Sequence, residues 1–163
     1  MIDSFRGRTQ SGEWVQGAHF CLHHNDERTH VHHFIIPDNA PIPKDKAIGE
    51  IQVEVVEPTI GRKFELPDIK GKDMYDGDIV SLNANIDDQA IVRFGKFQAV
   101  DFENEQQLED VYGWYLEPLP SATLPNCDPF MWPVQLNEYR VKEDKVVVIG
   151  NIFDNPEMAN GTK

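Results

Sequence analysis

Short runs of β-branched and aromatic residues, each closed by Gly, Pro, Asn or Asp, run through this sequence and restrict what it can fold into. Such runs are typical of β-strands. Eleven prolines interrupt almost every stretch that is long enough for a helix of more than three turns. The runs are 14–15, 18–22, 31–36, 51–56, 79–82, 90–94, 97–102 and 146–149. We therefore expect an all-β protein, mainly β with one short helix.

Two turns and the helix can be placed more closely. Ser11-Gly12 lies between two candidate strands, where glycine accepts the positive φ of a hairpin turn without steric cost. Gly95-Lys96 separates two apolar runs in the same way and predicts a second hairpin. The helix is expected over residues 103–115, where apolar residues recur at helical spacing.

The stretch GKDMYDGDIV, residues 71–80, allows two interpretations. Its acids beside glycines suggest calcium, but an EF-hand loop needs acids at alternating positions and a glutamate at the twelfth, which this register does not supply. Glycines that accept positive φ and aspartates that accept backbone N–H groups predict a tight turn leading into a strand instead. Gly77 and Asp78 are the residues on which this turn is expected to depend.

Three further positions carry structural predictions. Gly150-Asn151 interrupts the last apolar run in the way that a bulge or sharp bend in a closing strand does. Asn155-Pro156 is expected to end that strand. Trp14 directly follows the Ser11-Gly12 turn and is expected to be structural at the N-terminal hairpin.

Charge and cysteine content restrict the function. The balance of 15 Lys+Arg against 28 Asp+Glu gives a net charge of -13, which repels nucleic-acid backbones and anionic membrane surfaces. Two cysteines outside any CxxC spacing support neither a disulfide framework nor a zinc ribbon. No apolar run approaches the ~20 residues that span a bilayer, and the first fourteen residues lack a signal-peptide core. We expect a cytoplasmic protein that binds no membrane.

All six histidines fall within residues 19–33. On a strand, His30 and His32 share one face, and a facing strand carrying His19 or His23 could complete a three-imidazole zinc or nickel site. Cys21 would lie nearby, although a half-buried or buried small side chain is its ordinary role. Without an HExxH-type spacing, an incidental polar surface, a pH-sensitive surface and a metal site all stay open. No cofactor is predicted.

Three ordered blocks resemble the YopX family of small proteins, found mostly in bacteriophages, prophages and other mobile elements of bacteria. They are FRGRTQSGEWVQG at 5–17, EPTIGRKFELPDIKGKDMYDGDIV at 57–80 and VVIGNIFDNPEM at 147–158. The family typically shows a Phe-Arg-Gly start with a Gly-Glu-Trp turn, an aromatic-acid-Gly-Asp-Ile-Val string and a closing Ile-Gly-Asn-Ile-aromatic-x-Asn-Pro-Glu string.

The resemblance implies two structural regions and a tail. A β-rich N-terminal region is expected over 1–56, a C-terminal SH3-like barrel over 57–158, and a disordered tail over 159–163. In the barrel, Met74–Asn83 would be the first strand, the Gly95 hairpin the next two, and Val146–Phe153 the closing strand. The family supplies no established activity and therefore no catalytic residues.

Enzyme motifs are missing from the sequence. It contains no glycine-rich phosphate loop, no GxSxG and no HxE with a downstream cysteine pair. We therefore predict a non-enzymatic phage-type module that binds a phage or host protein or assembles as a homo-oligomer. Two alternatives are a nucleic-acid accessory protein of a mobile element and a metalloprotein that uses the histidine cluster.

Overall fold

The computed structural model describes residues 3–23, 31–40, 47–101, 106–119 and 133–160. These residues form ten β-strands and two short α-helices, and every strand pair is antiparallel. The prediction of an all-β protein is confirmed. The chain divides into two compact units, residues 1–63 and 64–163. Within the described ranges, no helix is long and apolar enough to cross a membrane.

The first unit is a five-stranded sheet with the order β4-β3-β2-β1-β5. Its strands are β1 (Phe5–Arg8), β2 (Trp14–His23), β3 (Val31–Pro37), β4 (Val53–Val55) and β5 (Gly61–Arg62). Gly12, at φ 94°, lies in the turn between β1 and β2, and its nitrogen donates to the Thr9 oxygen. The predicted hairpin at Ser11-Gly12 is confirmed.

Residues 57–63 belong to the first unit, so the division falls after Lys63 rather than after Val56. Strand β5 supplies the reason, because it pairs with β1 along the edge of the first sheet. The Lys63 nitrogen donates to the Ser4 oxygen at 2.8 Å, and the Thr59 hydroxyl accepts from the Arg8 nitrogen at 2.8 Å. The family block at 57–80 therefore contributes to both units.

The second unit is a five-stranded sheet with the order β10-β6-β7-β8-β9. Its elements are β6 (Asp78–Leu82), β7 (Asn85–Asp101), β8 (Gln106–Pro118), β9 (Val134–Gln135), α1 (Glu138–Glu143), β10 (Val147–Asn151) and α2 (Pro156–Ala159). The last strand, β10, pairs with the first strand of the unit, β6. Strands β9 and β10 form the two edges of the described sheet. The SH3-like barrel stays a prediction. Ala159 ends α2 rather than starting a tail, and residues 161–163 lie outside the described ranges.

Strand β6 is buried on both faces because different elements cover them. One apolar cluster contains Val80 and Leu82 together with Val141 of α1. A second contains Ile79 and includes Met158 of α2 among its packed neighbours. Since successive side chains of a strand point to opposite faces, β6 runs between two apolar layers.

Strands β7 and β8 correct two sequence predictions. The helix expected over 103–115 was wrong, since residues 106–118 form β8. The hairpin expected at Gly95-Lys96 was also wrong, since both residues lie inside the continuous strand β7. The apolar residues of these segments fit a strand as well as a helix. The long ladder between β7 and β8, in which Gly95 faces Gly113, selects the strand.

The position of Gly95 inside a strand predicts the effect of replacing it. Gly95 has no positive φ, and a Cβ atom there would meet nothing within 4 Å. Gly95→Ala should therefore raise the free energy of unfolding by about 0.5–1 kcal/mol, because glycine costs a strand more conformational entropy than alanine. Equilibrium urea unfolding measures the change. Gly12→Ala, at a positive φ, is the control and should lower stability; a similar loss in both variants would refute the strand assignment.

Candidate functional site

Residues 71–80 form a turn that leads into β6. Gly71 and Gly77 have φ values of 83° and 88°, which few other residues adopt without strain. The buried Asp78 carboxylate accepts from the Tyr75 nitrogen at 2.8 Å. The Gly77 nitrogen donates to the Val92 oxygen, and its oxygen accepts from the Ile152 nitrogen, both at 2.9 Å. Gly71, Gly77 and Asp78 thus shape the backbone of the turn.

The segment after β10 closes against the same turn. The pairing of β10 with β6 shifts between Val148 and Gly150, which makes a bulge. The Asn151 side-chain oxygen accepts from the nitrogens of Phe153 and Asp154, and the Asn155 side chain lies where a Cβ atom of Gly150 would be. The family blocks that contain Gly77 and Gly150 therefore build one joint structure.

Asp68 is a structural residue that sequence analysis missed. Its side chain is buried, and its carboxylate accepts from the nitrogens of Lys70, Lys72 and Val148 at 2.8, 2.9 and 2.9 Å. The first two bonds close a local turn, while the third ties this turn to β10. An Asp followed three residues later by Gly71 signals the turn, but nothing local signals the bond to Val148.

Trp14 begins β2 and contacts two cations. The guanidinium carbons of Arg6 and Arg8 lie 4.9 and 5.9 Å from the indole centroid, within the range of cation–π attraction. Beside Trp14, the first unit has a cleft of about 490 Å³. It is lined by Trp14, Val15, Gln16, Pro37, Asp38, Asn39 and Val53. Trp14 thus stabilises the N-terminal hairpin and also forms part of a concave surface.

The structure pairs His19 with His33. Their Nε2 and Nδ1 atoms are 3.0 Å apart, and the rings are nearly parallel. His32 lies on the opposite face, where its Nδ1 contacts Glu54 at 2.7 Å. The predicted grouping of His32 with His19 or His23 is therefore not observed. His24 and His30 lie outside the described residues.

The His19–His33 pair is partly buried. The His33 side chain is 14% exposed, and its Nε2 is 3.7 Å from a Glu57 carboxylate oxygen. Burial, and secondarily the charge of His33, lower the pKa of His19. Cys21 is exposed, so its expected half-buried or buried position was wrong. Within the described part of the chain, no group of three or more His, Cys, Asp or Glu side chains is placed so that it could hold a metal ion.

The ribbon is the distal part of the β7–β8 hairpin, residues 95–101 and 106–113. It pairs internally, whereas the pairing with β6 ends at Ile91 and the pairing with β9 ends at Tyr115. Among the described residues, no strand lies against either outer edge of the ribbon. Seven residues of extended chain reach roughly 20 Å, so these edges are long enough for another strand to pair with them.

Aromatic side chains connect the core of the second unit to the ribbon surface. Phe64 contacts Trp114, with centroids 5.2 Å apart, and Trp114 contacts Phe94 at 4.9 Å. Phe94 then meets Tyr112 edge-on at 5.3 Å. Tyr112 is 72% exposed. This row of rings places a large apolar side chain at the ribbon surface on a rigid support.

Several cations of the described residues form ion pairs with carboxylates. The pairs are Arg62–Asp3, Arg93–Glu117, Lys96–Asp110, Arg140–Asp144 and Lys142–Glu138. Each pair lowers the positive charge that its cation presents to a phosphate group. This arrangement gives the nucleic-acid alternative no specific support.

Fold and contacts define a two-unit all-β protein whose second sheet contains a two-stranded ribbon with no strand against its outer edges among the described residues. A family model described as YopX protein matches residues 4–159, nearly the whole chain. The chain belongs to the YopX family, and the resemblance seen in its sequence is confirmed. A search of curated proteins found no match.

Proposed function

We propose that this protein is a non-enzymatic module that assembles with itself through the ribbon. The observation that carries the proposal is the exposed Tyr112 on a ribbon whose outer edges have no strand partner among the described residues. The family's occurrence in phages and prophages supports a place in the cytoplasm of a bacterial host. The proposal thus assigns the protein a role in assembly rather than in chemistry.

A two-stranded ribbon with open outer edges favours association. Two strands alone are marginally stable in water, whereas a third strand supplies further backbone hydrogen bonds and covers apolar side chains. Unpaired strand edges are also a common route by which chains join. Pairing with another chain would therefore stabilise the ribbon itself.

The side chains of the ribbon suit a protein interface. Tyrosine is enriched among the residues that dominate binding energy, and Tyr112 is held by Phe94. Lys96 and Asp110 form an ion pair across the ribbon at 2.5 Å. This pair offsets part of the negative charge with which two ribbons would meet.

A second copy of the chain is the partner that the geometry favours. It carries the same open edges and the same tyrosine, and a two-fold axis brings equivalent patches together. A phage or host protein with a free strand edge is the alternative partner for the same surface.

Replacing Tyr112 tests this proposal. The unmodified chain should form a dimer or a larger assembly, and Tyr112→Ser should weaken it by about 30-fold, which corresponds to the ~2 kcal/mol of a dominant interface residue. Light scattering coupled to size exclusion over a concentration series measures the effect. Tyr139→Ser is the matched control, because Tyr139 is 65% exposed on α1 of the same unit.

Two results would contradict the proposal. If the unmodified chain is a monomer at every concentration, self-assembly is wrong and a different protein partner takes its place. If Tyr112→Ser and Tyr139→Ser weaken the assembly equally, the ribbon is not the interface.

A further inference from the structure

We infer that the His19–His33 pair is a pH-sensitive contact that keeps the outer end of the β2–β3 hairpin closed. The outer end comprises residues 21–23 of β2 and 31–33 of β3. In mildly acidic solution both imidazoles take up a proton, the pair separates, and the outer end opens reversibly. This inference concerns the first unit alone and goes beyond the proposed assembly through the ribbon.

The outer end has little buried surface of its own. Five of its six residues are exposed, namely Cys21, Leu22, His23, Val31 and His32. The sixth, His33, is partly buried. Segments with few buried apolar contacts open at a much lower free energy than the core of a fold. One contact at the boundary of such a segment can therefore decide whether it stays closed.

The histidine pair lies at this boundary and joins the two strands. Cys21 is opposite His33 in the ladder, and His19 is opposite the fully buried Ile35, so the contact between the histidines runs diagonally from strand to strand. His19 Nε2 and His33 Nδ1 are 3.0 Å apart. The ring of Phe5 on β1 packs on His19 with centroids 5.3 Å apart. His19 is thus held by the sheet, and His33 connects the outer end to it.

The contact tolerates one added proton but not two. With both rings neutral, or with one ring protonated, one of the two facing nitrogens donates and the other accepts. With both rings protonated, His19 Nε2 and His33 Nδ1 each carry an N–H group, and two donors oppose each other. The rings are stacked with centroids 5.2 Å apart, so two like charges also repel at short range.

Glu57 favours a first proton on His33. A carboxylate oxygen of Glu57 is 3.7 Å from His33 Nε2, an atom that is buried and makes no hydrogen bond. A charged His33 ring gains this neighbouring negative charge, although the exposure of Glu57 lets water screen part of the attraction. The second proton then falls to His19.

The second proton is disfavoured at His19. Burial, and then the charge of His33, lower the pKa of His19. Strand alternation places three further titratable or charged groups of described residues on this face, Cys21, His23 and Arg62. Arg62 is paired with the Asp3 carboxylate. Double protonation therefore costs the closed form more than the open form, in which water surrounds both rings.

The sign of the pH dependence follows from the lowered pKa of His19. A histidine whose pKa is lower in the closed form than in the open form stabilises closure above its ordinary value of 6.5. This contribution is lost as the pH falls from 6.5 through the lowered pKa of His19. Each pH unit within that window raises the opening equilibrium by up to about tenfold.

Amide hydrogen exchange of the full chain, followed by NMR, tests the inference. Protection factors, corrected for the pH dependence of intrinsic exchange, give the opening equilibrium residue by residue. Between about pH 7 and about pH 5.5, opening of the outer end should rise by roughly tenfold. Opening of the β1–β2 ladder should change by less than about twofold, because that ladder does not contain the histidine contact.

His19→Gln and His32→Gln are the matched variants. The glutamine amide at position 19 can still donate to His33 or accept from it, but it takes up no proton. The rise in opening at acid pH should therefore be lost in His19→Gln. It should persist in His32→Gln, because His32 lies on the other face, where its contact with Glu54 gains attraction on protonation.

Three outcomes of these measurements would overturn the inference. They are an outer end whose opening does not change with pH, an equal rise in His19→Gln, and an equal rise in the β1–β2 ladder, which would mean that acid destabilises the whole first unit. Circular dichroism checks that both variants fold. If His19→Gln does not fold, imidazole ¹⁵N spectra of the unmodified chain decide, and opening that precedes the second proton of the pair also contradicts the inference.

Discussion

Gly77→Val is expected to lower the free energy of unfolding by about 3–5 kcal/mol, because two costs add. Valine strongly resists the φ of 88° that this turn requires. A Cβ atom at residue 77 would also lie 3.3 Å from Phe153 and 3.5 Å from Ile152, and the two methyl groups of valine extend further. Equilibrium urea unfolding followed by fluorescence measures the loss.

Gly71→Val separates the two costs. Gly71 has nearly the same φ, 83°, but a Cβ atom there would meet nothing within 4 Å. This variant should lose only the backbone contribution, about 1–3 kcal/mol. Equal losses in both variants would show that Phe153 and Ile152 move aside, and no loss in either would refute the argument from positive φ.

Features that depend on a few neighbouring residues could be predicted from the sequence. The turns at Gly12 and Gly77 follow from glycine's freedom at positive φ and from the polar residues beside it. The strand content follows from β-branched runs and from prolines that interrupt helices. These signals act over a few residues, so distant contacts do not override them.

The β7–β8 hairpin could not be predicted, because its structure depends on pairing between distant residues. Within residues 106–115, apolar spacing fits a helix and a strand about equally well. Gly95-Lys96 resembles a turn until Gly113 and Tyr112 are known to lie opposite. The ribbon, which carries the proposed interface, was therefore absent from the sequence prediction.

The histidine cluster shows how strand register decides which side chains share a face. Sequence analysis identified the cluster but expected His32 to face the histidines of the neighbouring strand. The ladder instead places Cys21 opposite His33 and turns His32 towards Glu54. A shift of one residue would reverse these faces, and the histidines themselves do not fix that shift.

Asp68→Ala is expected to lower the free energy of unfolding by about 3 kcal/mol or more, because it leaves three backbone N–H groups without their acceptor. Only the Val148 nitrogen is deeply buried, so water compensates part of the loss at Lys70 and Lys72. Equilibrium unfolding measures the change. Asp87→Ala, at an exposed aspartate of the same unit, should stay within about 0.5 kcal/mol of the unmodified chain.

Asp68→Asn identifies which bond matters most. The amide oxygen can still accept from Lys70 and Lys72, but the amide NH₂ then faces the Val148 nitrogen, and two donors oppose each other. If the bond that spans 80 residues carries the stability, Asp68→Asn should lose nearly as much as Asp68→Ala. If Asp68→Asn is as stable as the unmodified chain, the local turn is the main role of Asp68, and the bond to β10 contributes little.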